Sequence, residues 1–185
     1  MRIIGGKLKG KKLFFINSTI TRPIRDIVKE SIFNIIDHSN LLNIKINKSD
    51  VLDLYSGIGS FGIECISREA KSVTFVENNK DTLLTLKKNL EYLSLKSNVS
   101  LISKNINIEK FDSSKKFDII FLDPPFADND YLKNLSLIKE KKIYKNNHII
   151  IIHREVNKID ELDKTIKIIL TKKYGRSKII FGTFE

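Results

Sequence analysis

Apolar positions along this chain fall into two patterns, and their alternation predicts the architecture. Short runs at Val51 to Tyr55, Ser72 to Val76, Val99 to Ile102, Phe117 to Leu122 and His148 to Ile152 read as strands, the last uniformly apolar and so buried on both faces. Between them the spacing becomes helical. Residues after Gly59 read as a helix to about Arg68, and Leu83, Leu84, Leu86, Leu90 and Leu93 place a leucine face on the helix after Glu77. Lys164 to Leu170 and Lys178 to Phe184 read as two more strands, joined through Tyr174-Gly175 closely enough to pair antiparallel. Strands and helices alternating in this way predict an α/β fold: a doubly wound parallel sheet of seven strands whose last hairpin is antiparallel. Ahead of it, residues 2–16 are expected to form a small hairpin. Asp26 to His38 is expected to be an amphipathic helix with Ile27, Ile32, Ile35 and Ile36 partly inward. A boundary near Leu42 to Asp50 would divide a basic extension, residues 1–42, from the sheet domain, residues 43–185.

Composition narrows the class. At 185 residues, 41% hydrophobic and 30% charged, the chain is sized and composed as one globular domain. Its single cysteine, Cys65, reads as a core residue and excludes an internal disulfide or a cysteine-rich zinc site. His38, His148 and His153 show no ligand spacing, so no metal is expected. Neither a signal peptide nor a bilayer-spanning run is visible, and a cytoplasmic protein without a membrane partner is expected. Lys and Arg number 33 against 22 Asp and Glu, a net +11. Residues 1–49 hold 10 basic and 3 acidic side chains and so carry +7 of it. Drift toward lysine in an AT-rich genome explains Lys in place of Arg, but not a surplus concentrated in one quarter of the chain. The front is therefore read as a polyanion-binding segment on a nearly balanced body.

Two patches carry candidate chemistry. Asp53-Leu-Tyr55-Ser-Gly57-Ile-Gly59-Ser-Phe-Gly62 follows the first strand, where glycines let the backbone approach a nucleotide-like ligand. Alone the spacing is a weak signal that also fits a dinucleotide or a purely structural turn. Glu77, at the tip of the second strand, adds an acceptor where a ribose diol would lie, or is a solvated loop acid. Asp123-Pro124-Pro125-Phe126 ends the fourth strand on the same rim. Paired prolines stiffen the backbone so that the Asp123 carboxylate and the Pro124 carbonyl can aim at one point, beside a flat Phe126 ring. That suits a planar base with an amino group. Two acceptors gripping the amine hydrogens localise a lone pair otherwise spread into the ring, and align it on an electrophilic methyl. The alternative is a proline-rich strand stop.

An Asp-Pro-Pro-aromatic motif after the fourth strand of a glycine-turn sheet resembles the S-adenosylmethionine-dependent methyltransferases of exocyclic base amines, which share the class I Rossmann-like sheet and terminal hairpin. The front segment narrows this further. Arg2-Ile-Ile-Gly-Gly6, Gly10-Lys-Lys-Leu13, Arg22-Pro23, Glu30-Ser-Ile-Phe33-Asn34, Val51-Leu-Asp-Leu and Lys173-Tyr-Gly175 are similar to the RsmD family. That family methylates the N2 amine of a guanine in small-subunit (16S) ribosomal RNA, the guanine at position 966 in the usual numbering. The resemblance implies S-adenosyl-L-methionine as cofactor, bound by Asp53, Tyr55, Gly57, Gly59, Glu77, Asn78, Asn107 and Asp123. It implies catalysis by Asp123, Pro124 and Phe126, with Asn105 as the other register for the adenine contact. RNA contacts are expected from Arg2, Lys7, Lys9, Lys11, Lys12, Arg22, Arg25, Tyr174 and Arg176, Arg22 alternatively pairing with an acid. The implied partner is small-subunit ribosomal RNA, naked or in an assembled or partly assembled 30S particle, with the protein a monomer. Departures lie at Ile24, Arg25, Ile27 and Lys29, where the family usually carries other residues, and they weaken claims about RNA contacts rather than about the reaction. The motif does not separate guanine from adenine or cytosine.

Overall fold

A computed structural model describes residues 1–15, 24–103, 111–112 and 114–185. Seven strands, β1 (Asp50–Leu54), β2 (Ser72–Val76), β3 (Val99–Ile102), β4 (Phe117–Leu122), β5 (Tyr144–Glu155), β6 (Lys167–Tyr174) and β7 (Ser177–Thr183), form one sheet in the order β3-β2-β1-β4-β5-β7-β6. β3 to β5 run parallel, and β7 is antiparallel to both β5 and β6. The helices are α1 (Asp26–His38), α2 (Ser60–Ser67), α3 (Lys80–Tyr92) and α4 (Tyr131–Glu140). The order reverses between β1 and β4, the position at which sheets of this kind open a crevice beyond their carboxyl ends.

Strand periodicity places the two cores. Val51, Ile119, Phe121, Ile149 and Ile151 face α1, α2 and α3, while their neighbours Leu52, Leu54, Ile120, Leu122, Ile150 and Ile152 face α4. On the first face Phe33 of α1, Phe61 of α2 and Phe121 of β4 stack in series, with ring centroids 5.3 and 4.0 Å apart. Such pairs add about 0.5–1.5 kcal/mol each beyond burial. Cys65 is fully buried among these residues, as expected.

The front segment joins this core. Arg2 and Lys12 form an antiparallel bridge, and Ile3 and Leu13 are buried with α1 and the sheet. A hairpin of this size is marginal by itself, so its anchors matter. The buried Glu64 carboxylate accepts the Ile4 and Gly5 N–H groups at 2.8 and 2.7 Å. Lys29 Nζ, 3.7 Å from Glu64, donates to the Arg2 carbonyl, and burial pulls its pKa below the ordinary lysine value. Asn89 of α3 clasps the Phe14 N–H and carbonyl and also donates to the Ile58 carbonyl, tying the hairpin to the turn after β1.

Four expectations need correction. The sixth strand begins at Lys167 rather than Lys164, which ends a single 3-10 turn from Leu162, and runs on to Tyr174 because β7 pairs with it that far. Ile27 is 65% exposed, because the inward stripe of α1 is Val28, Lys29, Ile32, Phe33 and Ile36, on another side of the helix. Leu84 is 64% exposed for the same reason: Leu83, Leu86 and Leu90 share a face that Leu84 leaves by one residue's rotation of about 100°. β5 exceeds His148 to Ile152 at both ends: it begins at Tyr144, which pairs with Phe117 of β4, and runs to Glu155, since β7 continues its ladder through His153, Arg154 and Glu155. No helix among the described residues is long and apolar enough to cross a membrane.

Candidate active site

The carboxyl ends of β1, β2, β4 and β5 open into a cavity of about 520 Å³ between α1 and the β6–β7 turn. After Leu54 the chain turns sharply: Tyr55, Gly57 and Gly59 all have positive φ (58°, 57° and 86°). At Gly59 the left-handed backbone favours glycine, and a Cβ there would also crowd the tip of the Leu86 side chain at 2.4 Å. At Gly57 a Cβ would meet nothing within 4 Å, so the backbone there faces open space. Gly57, Asp53, Tyr55 and Asn78 line the cavity. The Tyr55 hydroxyl accepts from Asn134 at 3.0 Å, and burial pushes its pKa above the usual value.

Asp53 is fully buried. Its Oδ2 accepts the Gly62 N–H at 2.9 Å, while its Oδ1 has no hydrogen-bond partner among the described residues. Burial drives its pKa well above the ordinary carboxylate value; the Gly62 bond opposes this and the charges of Asp123 and Glu77 add to it. Glu77 is buried too, and not a solvated loop acid. It accepts the Gly57 N–H through Oε2 and the Asn79 N–H through Oε1, each at 2.8 Å. Because each carboxylate oxygen has two lone pairs, one per oxygen is left.

Opposite, Asp123, Pro124, Pro125 and Phe126 form the cavity wall that follows β4. Two neighbours on β5 hold it. His153 Nδ1 lies 2.7 Å from Asp123 Oδ1, and the Phe126 ring meets the imidazole edge-on at 5.8 Å. Arg154, fully buried, donates to the Pro125 and Phe126 carbonyls at 3.1 and 3.4 Å, pairs with Asp160 at 3.1 Å and covers the Tyr131 ring at 4.5 Å. The Pro124 carbonyl is not among those Arg154 takes. Neither β5 residue was assigned a role from sequence. The available signal was a histidine and an arginine ending an otherwise apolar buried run, where a charge needs a partner.

Of the basic and aromatic residues expected to meet RNA, Arg25 and Arg176 line the cavity mouth. Arg25 donates to the Tyr174 carbonyl at 3.1 Å, and Ser31 bonds the Tyr174 hydroxyl, so α1 grips the β6–β7 turn. Arg2, Lys7, Lys9 and Lys11 are outside the cavity: their hairpin packs against Glu64 and Ser67, toward the far end of α2, with Lys7 reaching Glu69 at 2.6 Å and Arg2 4.0 Å from Asp26. Lys12 sits on the same hairpin. Arg22, Asn105 and Asn107 lie outside the described residues.

Comparison with known proteins finds relatives along nearly the whole chain. The family model described as conserved hypothetical protein 95 matches residues 1–183. Proteins named ribosomal RNA small subunit methyltransferase D are 37% identical over 180 residues in Buchnera aphidicola (97% of this chain, 88% of that one) and 39% over 164 in Haemophilus influenzae (85% and 80%). A solved Escherichia coli structure superposes with a TM-score of 0.84 at 26% identity, covering 100% of this chain and 98% of the other. Matched from its basic hairpin to β7, the chain belongs to the conserved hypothetical protein 95 family, the RsmD family that its motifs resemble.

Proposed function

We propose that this protein transfers the methyl group of S-adenosylmethionine to the exocyclic N2 amine of a guanine in small-subunit ribosomal RNA. The observation that carries this reading is the meeting, in one cavity, of the glycine turn with Asp53 and Glu77 on one side and Asp123-Pro-Pro-Phe126 on the other. The residues fit the cofactor. A cavity of about 520 Å³ is in the range of small-molecule sites. The unpartnered Asp53 Oδ1 and the free lone pairs of Glu77 are acceptors placed for the ammonium and hydroxyl donors such a molecule presents. When bound, S-adenosylmethionine supplies an electrophilic methyl whose sulfur keeps the bonding electron pair as the new N–C bond forms.

The protein's part is alignment. Asp53 and Tyr55, with the Gly57–Gly59 turn, hold the amino-acid end; Glu77 and Asn78 hold the ribose, and Asn107 is the proposed adenine contact. Asp123 and Pro124 accept the two amine hydrogens, which localises the nitrogen lone pair and stabilises the charge that develops there. The proton shed by the methylated amine passes to Asp123 or to water. Phe126 stacks on the base. Guanine N2 must leave its stack to reach this rim, and RNA is gripped by residues 1–42 together with the β6–β7 turn, through Arg2, Lys7, Lys9, Lys11, Arg22, Arg25, Tyr174 and Arg176. The protein acts as a cytoplasmic monomer, on naked RNA or a 30S particle. Incubation with labelled cofactor and undermethylated small-subunit RNA or particles should put label on N2-methylguanosine; label on adenine or cytosine would reject the guanine assignment.

A further inference from the structure

We infer that His153 is the positioning residue for Asp123: it occupies Oδ1 and so reserves Oδ2 for the substrate amine. The inference rests on the function proposed above. An ionised carboxylate can only accept, so across the 2.7 Å contact Nδ1 must carry the proton. That bond also fixes the tautomer, leaving Nε2 as the bare nitrogen when the ring is neutral. Nε2 is buried and has no partner among the described residues, so Asp123 is the ring's polar anchor. No other side chain among the described residues hydrogen-bonds the Asp123 carboxylate.

The ring itself is fixed from several directions. His153 is buried, its backbone is in register with Ile179 of β7, and Phe126 packs on its edge. The next residue, Arg154, holds the Pro125 and Phe126 carbonyls. Adjacent strand residues point to opposite faces, so β5 reaches the motif loop on two sides, one residue setting the carboxylate and the other the backbone. An aspartate at the end of a loop otherwise turns about two side-chain torsions, and a site that works by alignment loses rate steeply with small displacements. His153, which also lines the cavity wall, therefore acts on the transfer step through the aim of Asp123.

Single-turnover transfer at saturating cofactor and RNA tests this. Removing the donor in His153→Ala should lower the transfer rate ~10²-fold, the scale on which small misplacements act. RNA KM and cofactor affinity should stay within about threefold, because the loss falls on the aim of Asp123 rather than on the groups that hold cofactor and RNA. His153→Asn places an amide N–H where Nδ1 stood and should recover most of the rate. Nitrogen-15 spectra of the wild-type imidazole should show a proton on Nδ1, with that signature altered in Asp123→Ala. An unchanged rate in a folded His153→Ala protein, an Asn variant as impaired as Ala, or a wild-type ring protonated on Nε2 alone would overturn the inference. A wild-type protein that methylates no guanine would instead overturn the function on which it rests.

Discussion

The two ends of the same sheet treat their acids in opposite ways. At the amino end, Lys145 Nζ sits 2.7 Å from both Asp50 Oδ2 and Asp118 Oδ2. Lys71 approaches Asp50 at 3.4 Å, and Ser72 donates to its other oxygen at 2.7 Å. Burial raises the Asp50 pKa, but the bonds from Lys145 and Ser72 outweigh it and leave it below the ordinary value. At the carboxyl end Asp53, Glu77 and Asp123 share one cavity, and among the described residues none forms an ion pair with a lysine or arginine. One cluster is complete within the fold; the other leaves Asp53 Oδ1 without a donor among the described residues. Acids left unneutralised at real cost to the fold mark a functional site better than acids as such.

Changes at the two ends should therefore read out differently. The largest effect is expected from Asp123→Ala: loss of methyl transfer by ~10³-fold or more, the upper range for one transition-state hydrogen-bonding group, with cofactor affinity nearly unchanged by calorimetry. Next is Asp53→Asn, expected to weaken cofactor binding roughly 10- to 100-fold, as for a lost hydrogen bond to a charged group. The same change should raise the stability of the free protein, because it removes the buried, mutually repelling charge. At the other end, Lys145→Met should cost about 1 kcal/mol in denaturant unfolding, modest because the lysine is partly exposed, and leave transfer and cofactor binding alone.

The smallest effect is in the pH dependence of those stability differences. Asp50 titrates below its ordinary value of about 3.9 and Lys145 above its ordinary value of about 10.4. Their contribution is therefore whole between those ordinary values, is lost as pH falls through the folded Asp50 value, and is lost again as pH rises through the folded Lys145 value. Asp53 has the opposite sign: its raised folded pKa means the folded state takes up a proton first, so stability is recovered as pH falls through that value. Urea titrations at stepped pH should show the gain of Asp53→Asn over wild type shrinking on acidification from neutral, before the deficit of Lys145→Met does.

The same contrast explains what sequence could show. α1 and β2 to β4 were legible to the residue, because their apolar periods are local and their punctuation is unambiguous. That the glycine turn, Glu77 and Asp123-Pro-Pro-Phe126 meet on one rim was legible because each sits at the end of a strand. What was not legible depends on residues far apart in the chain. Lys145 finds Asp50 from 95 positions away, and His153 finds Asp123 from 30. The extension of β5 beyond Ile152 comes from β7 rather than from its own apolar run. The exposed faces of Ile27 and Leu84 follow from helical phase, which a simple count of apolar residues does not weigh.

A carboxyl-end rim that transfers methyl to guanine N2 is tested by the identity of the methylated nucleoside. With wild type, Lys145→Met and Asp123→Ala run side by side on undermethylated small-subunit RNA or particles, labelled N2-methylguanosine is expected from the first two and none from the third. Label on any other nucleoside, or equal labelling by Asp123→Ala, would contradict that function.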